Sequence, residues 1–547
     1  MIPPAAPPAP PGPRPWWEGR PFVAAMILLA MVPFIYPPIP PITDLLGHMG
    51  RYRVELDLSS SRSLQRFFDF HWALVGNLGV DLLIIPMAKI FGLELGVKLI
   101  VMAIPALTVA GMLWVAREVH HRLPPTVMFA LPFATGYPFL FGFVNFALSM
   151  AFAFLAFGLW LRLGRLEQTK LRAAIFVPLS CIVWLAHAFG WGVLGLMAFS
   201  AEAVRQHDKG RGWLRSGPRA AFHALALAPP LLMMLLWRSG AGGGITGDWF
   251  NWAKKAQWVT SALRDRWESF DLTSLAITVL IFFFAVFHRR LTLSRNLFFS
   301  FLVLSLAFVA LPRVVFGSAY ADMRLAPFLF AMALLAIRFK QETILPTARV
   351  LAWAGLGFVL VRTAATSLSL GIAADDQSAK LAALEQVPVG ARVISFVGRR
   401  CDQSWELPRN DHLGSMVIVR RLGFSNDQWP MEGSSLLTVR HPVAGRFAYD
   451  PSQKVRPRPC AYADGWPIET SLHRFPRDQF DYVWLIDPPL FDPALVEGMT
   501  RVSNGPGSAL YRIIRDGAGP PPAKRRTASA SARPGAVPGR TAQPARS

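Results

Sequence analysis

The apolar residues of this chain fall in long blocks rather than in strict alternation, and short basic segments separate the blocks. A first run begins near residue 21, and others follow near 96–116, 125–141, 143–163, 173–186, 188–204, 220–237, 272–287, 297–312, 325–338 and 350–370. A straight helix needs roughly 20 residues to cross hydrocarbon, so the shorter runs predict broken helices. The pattern predicts a mainly α, polytopic membrane protein of about 11 transmembrane helices.

The intervening segments "REVHHR", "RLGRLEQTKLR", "RQHDKGRGWLRSGPR", "HRRLTLSRN" and "RFKQETILPTAR" are all basic, as cytoplasmic loops should be. Residues 74–92, "LVGNLGVDLLIIPMAKIFG", carry Asn77, Asp81, Lys89 and a central proline. A crossing there would place every later basic loop outside, so a juxtamembrane helix on the outer surface is expected instead. The N-terminus is then cytoplasmic, residues 39–95 form the first external loop, and an odd number of crossings leaves the C-terminus outside.

The pattern changes at about residue 372. The pieces "AKLAALEQV", "ARVISFV", "SSLLTVRH", "FDYVWLID", "ALVEGMTRV" and "SALYRIIR" mix helix-like and strand-like periodicity. They predict an external α/β domain over 373–515, behind a membrane domain over 21–372. The Pro-rich leader 1–20 and the basic Pro/Ala/Ser-rich tail 516–547 lack core-forming composition, and disorder is expected in both.

Composition agrees with this division. Of 547 residues 53% are hydrophobic and 16% charged, and the mean hydropathy is +0.35, which does not suit a soluble globule. A formal charge of +22 would suit a nucleic-acid partner, but the Lys and Arg sit in short loops and the tail. They read as topology and contact with anionic membrane lipids, with no nucleic acid. Cys181, Cys401 and Cys460 have no metal-ligand spacing and allow at most one bridge. An oxidising periplasm, the compartment outside a Gram-negative inner membrane, would permit a Cys401–Cys460 disulfide.

Candidate chemistry begins in "PPIPPITDLLGHMGRYRVELD", residues 37–57. Asp44, His48, Arg51 and Glu55 follow i, i+4, i+7, i+11 spacing, which places them on one arc of a helix, with Leu45, Met49 and Leu56 opposite. A solvated face of an interfacial helix would show the same spacing.

The order of these features resembles the GT-C glycosyltransferase superfamily: a first span, an acidic residue just past its outer end, juxtamembrane helices, many spans and a soluble external domain. Its members include protein O-mannosyltransferases, oligosaccharyltransferases and aminoarabinose transferases. "DLLGHMGRY" looks like the first-loop acidic motif, and "NLGVDLLIIPMAKIFGLELGVKLIVMAIPALTVAGMLWVAREV" resembles the stretch from juxtamembrane helix into second span. "GFVNFALSMAFAF" and "ADMRLAPFLFAMALLA" are similar to segments of a group of bacterial membrane proteins of this type. The resemblance covers roughly residues 20–372, and Leu45 stands where a second carboxylate is common in the family.

The resemblance implies inverting transfer of a sugar from a polyprenyl-phosphate carrier to a lipid or envelope-glycan acceptor, in the bacterial inner membrane. Asp44 is then the candidate base, with Arg51 near enough to lower its pKa, and His48 and Glu55 orient or tune it. Arg313 and Arg324 bracket "RVVFGSAYADMR" and are candidate phosphate ligands, unless they pair with Asp322 or lipid headgroups. His187, in "WLAHAFGW", is either a histidine bonded between helices or a cavity residue near the carrier phosphate. Trp249 and Trp252 belong to an interfacial aromatic belt or to a lid that stacks sugar rings. A divalent metal on Asp44 and His48, with His71 as a distant third ligand, stays open. The alternative is a non-catalytic GT-C-like scaffold, such as a lipid-linked glycan flippase or an envelope-assembly protein.

Overall fold

Where proline permits, the apolar runs become helices. The computed structural model describes residues 15–240, 245–340, 345–402, 404–429, 435–460 and 465–515. Residues 1–14 and 516–547 lie outside the described residues, and with them most of the expected leader and the tail. The leader is shorter than expected, because Trp16–Glu18 form a 3-10 turn, Trp17 is buried, and Glu18 pairs with Arg122 at 3.0 Å. The described residues up to Ile513 form one compact unit.

The first half contains α1 (Arg20–Leu29), α2 (Leu45–Asp57), α3 (Arg62–Gln65), β1 (Phe68–Phe70), α4 (Gly79–Phe91), α5 (Leu93–His120), α6 (Tyr137–Leu140), α7 (Val144–Arg165), α8 (Thr169–Ala186) and α9 (Ala188–Asp208). There follow α10 (Trp213–Ala224), α11 (Pro230–Gly240), α12 (Trp252–Thr260), α13 (Glu268–Phe287), β2 (Leu291–Leu293), α14 (Arg295–Ala310), α15 (Ala321–Leu335), β3 (Ile337–Phe339) and α16 (Leu345–Leu381). Helix α5 packs along α7 and α7 along α9, which makes these three the buried centre of the bundle.

The chain is a multi-pass membrane protein, and fewer helices than the expected count of about 11 qualify as spans by length and composition alone. Among the described residues five helices are long and apolar enough to cross a bilayer, or six if the pair around Pro230 is one broken span. Proline explains much of the shortfall, since it removes an N–H and disrupts α geometry. Pro125, Pro132 and Pro138 turn run 125–141 into a 3-10 stretch, Pro125–Thr135, and the four-residue α6. Run 220–237 bends by 63° where α10 passes into α11, and α1 gives way to a 3-10 turn, Val32–Phe34, at Pro33.

The C-terminal part adds β4 (Arg392–Gly398), α17 (Met416–Arg421), β5 (Phe424–Ser425), β6 (Leu437–Val439), β7 (Lys454–Arg456), β8 (Trp466–Pro467), α18 (Ile468–Arg474), β9 (Tyr482–Ile486), β10 (Met499–Gly505) and β11 (Ser508–Ile513). One sheet runs β10-β11-β9-β4-β7-β8, with β5 also paired to β4. Its centre is parallel, β4 pairing with β5, β7 and β9, while β10 and β11 form an antiparallel edge hairpin. The continuous apolar text of "VISFV" and "YVWLI" suits such a centre, because both faces of these strands are covered. Cys401 and Cys460 form a disulfide.

The first loop and this sheet are one folded part. Strand β1 pairs antiparallel with β6, Phe68 opposite Val439, and Val54, Leu64, Phe67 and Phe68 share a core with Ile394, Phe396, Phe424 and Leu437. Each such side chain contributes about 1.5–3 kcal/mol when fully buried. Residue 372, the division expected from periodicity, lies within α16, which runs on to Leu381.

Candidate functional site

Helix α2 is held between the bundle and the sheet. Its polar stripe is therefore not a solvated face: Arg51 and Tyr52 are buried, and Asp44, His48 and Glu55 are partly so. The chain enters α2 pinned to the segment after α6, with Thr43 N–H donating to the Leu140 carbonyl at 3.2 Å and Asp44 N–H to that of Phe141 at 3.0 Å. Gly142 makes this possible. Its φ of +109° is open to glycine, and a Cβ there would lie 2.5 Å from the Asp44 nitrogen.

Asp44 occupies the N-cap position, yet its side chain makes no capping hydrogen bond. The carboxylate instead faces the loop before α17, where His412 Nε2 lies 3.8 Å from Asp44 Oδ1. The His412 ring is buried, its Nδ1 lies 3.1 Å from the Asp427 carbonyl, and Trp429 covers it at 4.4 Å between centroids. Trp429 also meets His48 edge-on at 5.3 Å. It reaches α2 only because residue 47 is glycine, since a Cβ there would fall inside the Trp429 ring.

Burial pushes the Asp44 carboxyl up to about 8. Among the charges acting on it, Lys454 and Arg324 lower the pKa, whereas Asp411 and Asp450 raise it. Lys454 pairs with Asp450 at 3.4 Å, and Asp411 with Arg399 at 3.2 Å. Burial works against the Lys454 ammonium, but Asp411 and Asp450 outweigh it and lift its pKa. Burial alone would hold His412 neutral, and it is the leading reason that both His412 and His48 lie below the ordinary imidazole range. Burial also lifts Asp427 to about 7.

Arg324 acts on the Asp44 carboxyl through its charge. It stands in the first turn of α15, donates from Nη2 to Ser318 Oγ at 3.1 Å and lies 4.5 Å over the Phe143 ring. Among the described residues it has no carboxylate partner, and its buried Nε has no acceptor. Its charge reaches both Asp44 and His187. His187 joins α8 to α9, and its Nδ1 accepts the Phe189 N–H at 3.1 Å. It therefore caps its own helix rather than bridging two.

The other expected residues have different surroundings. Arg51 forms a buried ion pair with Asp81 at 2.9 Å, and Asn145 Nδ2 also donates to Asp81, at 3.0 Å. Arg51 is not among the charges that set the Asp44 pKa, contrary to the expectation from spacing. Glu55 lies one turn further along, where burial, with the Asp81 charge adding to it, raises its carboxyl to about 8. Arg313 pairs with Asp248, and Asp322 is buried against Lys255 at 3.5 Å. Neither arginine thus pairs with Asp322. Trp249 and Trp252 are 54% and 61% exposed and form an aromatic strip with Phe250. Among the described residues no three His, Cys, Asp or Glu side chains are gathered to hold a metal, so Asp44, His48 and His71 do not form a ligand set.

Arg409, Asp411, His412, Asp450 and Lys454 escaped sequence reasoning. The text "RNDHLGS" puts three ionisable residues in four positions, but nothing local ties it to Asp44. Tertiary contacts do: Arg409 bonds to the Pro41 carbonyl and pairs with Asp265, and Gln377 Nε2 donates to the Arg409 carbonyl at 2.6 Å.

No known protein family matches this chain, and no curated protein sequence matches it. Among solved structures, it is similar to the crystal structure of ArnT from Cupriavidus metallidurans bound to undecaprenyl phosphate, at 10% identity and a TM-score of 0.46, over 91% of this chain and 98% of that one.

Proposed function

We propose that this protein is a GT-C-like membrane glycosyltransferase that moves a sugar from a polyprenyl-phosphate carrier to a lipid or glycan acceptor of the cell envelope. In this reading the site faces the periplasm, and residues 373–515 together with the first loop build its outer wall. The observation that carries the proposal is the Asp44 carboxyl at the start of α2, desolvated, facing His412 and within the electrostatic reach of Arg324, a buried guanidinium with no carboxylate partner among the described residues.

Asp44 accepts the acceptor's proton as the acceptor lone pair bonds to the anomeric carbon. The bond from that carbon to the phosphate oxygen breaks, its electron pair stays on the phosphate, and Arg324 meets the charge that develops there. A base whose pKa lies near the working pH combines proton affinity with a usable ionised fraction. His412 acts as a positioning residue: with Nδ1–H donating to a backbone carbonyl, its Nε2 is left as an acceptor facing Asp44, suited to the protonated carboxyl that proton transfer produces. Arg51 holds α2 through its buried pair with Asp81, whereas His187 contributes to the wall near Arg324.

Three other buried charges within the bundle are paired, Arg172 with Glu202, Lys255 with Asp322 and Arg362 with Asp271. That distribution favours chemistry at the Asp44 end over passage through the midplane. The test is the envelope glycan of a deletion strain complemented with wild type or Asp44→Asn at equal protein level. Loss of the glycan change in the Asn strain is expected. Wild-type glycans from that strain would sink the catalytic reading in favour of a non-catalytic scaffold.

A further inference from the structure

A second polar site lies at the other end of α9. This helix has 21 residues, hence a length of about 30 Å, so its Asp208 end is a bilayer core's thickness from His187. There a cleft of about 450 Å³ opens between α9 and α10, walled by Arg205, Lys209, Arg211, Arg219, His223 and Phe222 among others. The volume is in the range of small-molecule sites, roughly 300–1,000 Å³.

Its charge is only partly answered from within the protein. Arg205 pairs with Glu167 at 2.6 Å and Glu202 at 3.3 Å, and Lys209 shares Glu167 at 3.0 Å. Glu202 is itself buried, pairs with Arg172 at 2.9 Å and lies 3.7 Å from His223. Among the described residues the Arg211 guanidinium bonds only to the Gln206 side chain, and the Arg219 guanidinium has no hydrogen-bond or ion-pair partner. Two guanidinium groups thus face the cleft without a carboxylate.

The cleft also borders an apolar surface. Phe222, which walls it, is 71% exposed, and on the same bent pair of helices Leu214 is 94%, Leu225 60% and Leu232 68% exposed. A helix that sets exposed apolar residues beside arginines suits the plane of a membrane surface.

We propose that this cleft binds the phosphate of an anionic phospholipid headgroup, with Arg211 and Arg219 on the phosphate oxygens and the acyl chains along Phe222 and the α10–α11 apolar face. Planar guanidinium groups match phosphate oxygens in pairs, and a basic recess at the end of membrane helices concentrates anionic lipid.

The test uses the full chain in detergent, titrated with dioleoyl phosphatidylglycerol or dioleoyl phosphatidylcholine, with bound lipid counted by native mass spectrometry. Phosphatidylglycerol should bind more tightly than phosphatidylcholine. Arg211→Gln/Arg219→Gln should weaken phosphatidylglycerol about tenfold and leave phosphatidylcholine unchanged. Arg219→Gln alone, which removes no contact within the protein, should show part of the loss. Arg215→Gln, on the same helix but outside the cleft wall, should show none. Equal binding of the two lipids, an unchanged double variant, or an equal loss in Arg215→Gln would overturn the site. Displacement of the lipid by an equal concentration of glycerol 3-phosphate would overturn the lipid source in favour of a soluble phosphate ester.

Discussion

His412 Nε2 lies 3.8 Å from Asp44 Oδ1, although 368 residues separate the two in the chain. The contact joins the start of the first loop to the loop before α17, and Trp429 clamps it from one side. His412→Phe retains a ring for Trp429 to cover but removes Nε2. Protein level should hold, while the transfer rate should fall about tenfold or more, with kcat affected more than KM. A rate equal to wild type would show that His412 only packs.

The pKa of Asp44 sets the expected pH profile. A base must be ionised, and with a pKa of about 8 its ionised fraction rises about tenfold per unit up to pH 7 and levels above 8. The transfer rate should follow that curve. Asp44→Asn should be flat and lower by about 10² to 10⁴. A wild-type rate that falls between pH 6 and 8 would contradict the base role.

The same group predicts an opposite trend in stability. In the unfolded chain the Asp44 carboxyl ionises near its ordinary value of 3.8, whereas in the folded protein it keeps its proton to about 8. The folded state therefore binds more protons across that window, and the contribution of Asp44 to stability falls as pH rises from 4 to 8. Asp44→Asn removes this cost. Its folding free energy in detergent should match wild type near pH 4 and exceed it near pH 8 by up to about 5 kcal/mol, read as a higher thermal midpoint. A gap that shrinks with rising pH would show that burial is not what raises this carboxyl.

Arg324 separates charge from shape. Arg324→Lys keeps the charge but loses the planar fork, so binding of a polyprenyl-phosphate analogue should weaken about tenfold, or ~1.4 kcal/mol. Unchanged binding would place the carrier phosphate elsewhere.

The orientation is open to a direct check. Alkaline phosphatase fused after Arg515, which leaves the sheet intact, should be active, and a fusion at the 209–212 turn between α9 and α10 should be silent. The reverse pattern would turn the Asp44 site to the cytoplasm and remove the envelope acceptor from the proposal.

Much of this architecture is legible along the chain because the forces involved are local. Apolar blocks such as 96–116 and 143–163 become α5 and α7, since a helix satisfies its own backbone inside a bilayer. Likewise "VISFV" and "YVWLI" become the two-sided strands β4 and β9. Asp44 also stands out, as a carboxylate at the exit of a first apolar run. Proline set the limit: residues 125–141 are as apolar as a span, but Pro125, Pro132 and Pro138 deny them regular α-helix.

The environment of Asp44 was decided by tertiary contact alone. Periodicity places Asp44, His48, Arg51 and Glu55 on one arc, yet only the packed molecule shows that Asp44 faces His412 while Arg51 turns to Asp81. A pKa depends on what excludes water and on which charges act on the group. For Asp44 those are Lys454, Asp411, Asp450 and Arg324, brought together from sequence-distant parts of the fold. Helical spacing carries no record of such neighbours, because residues hundreds of positions away are set beside Asp44 by the closing of the sheet over α2.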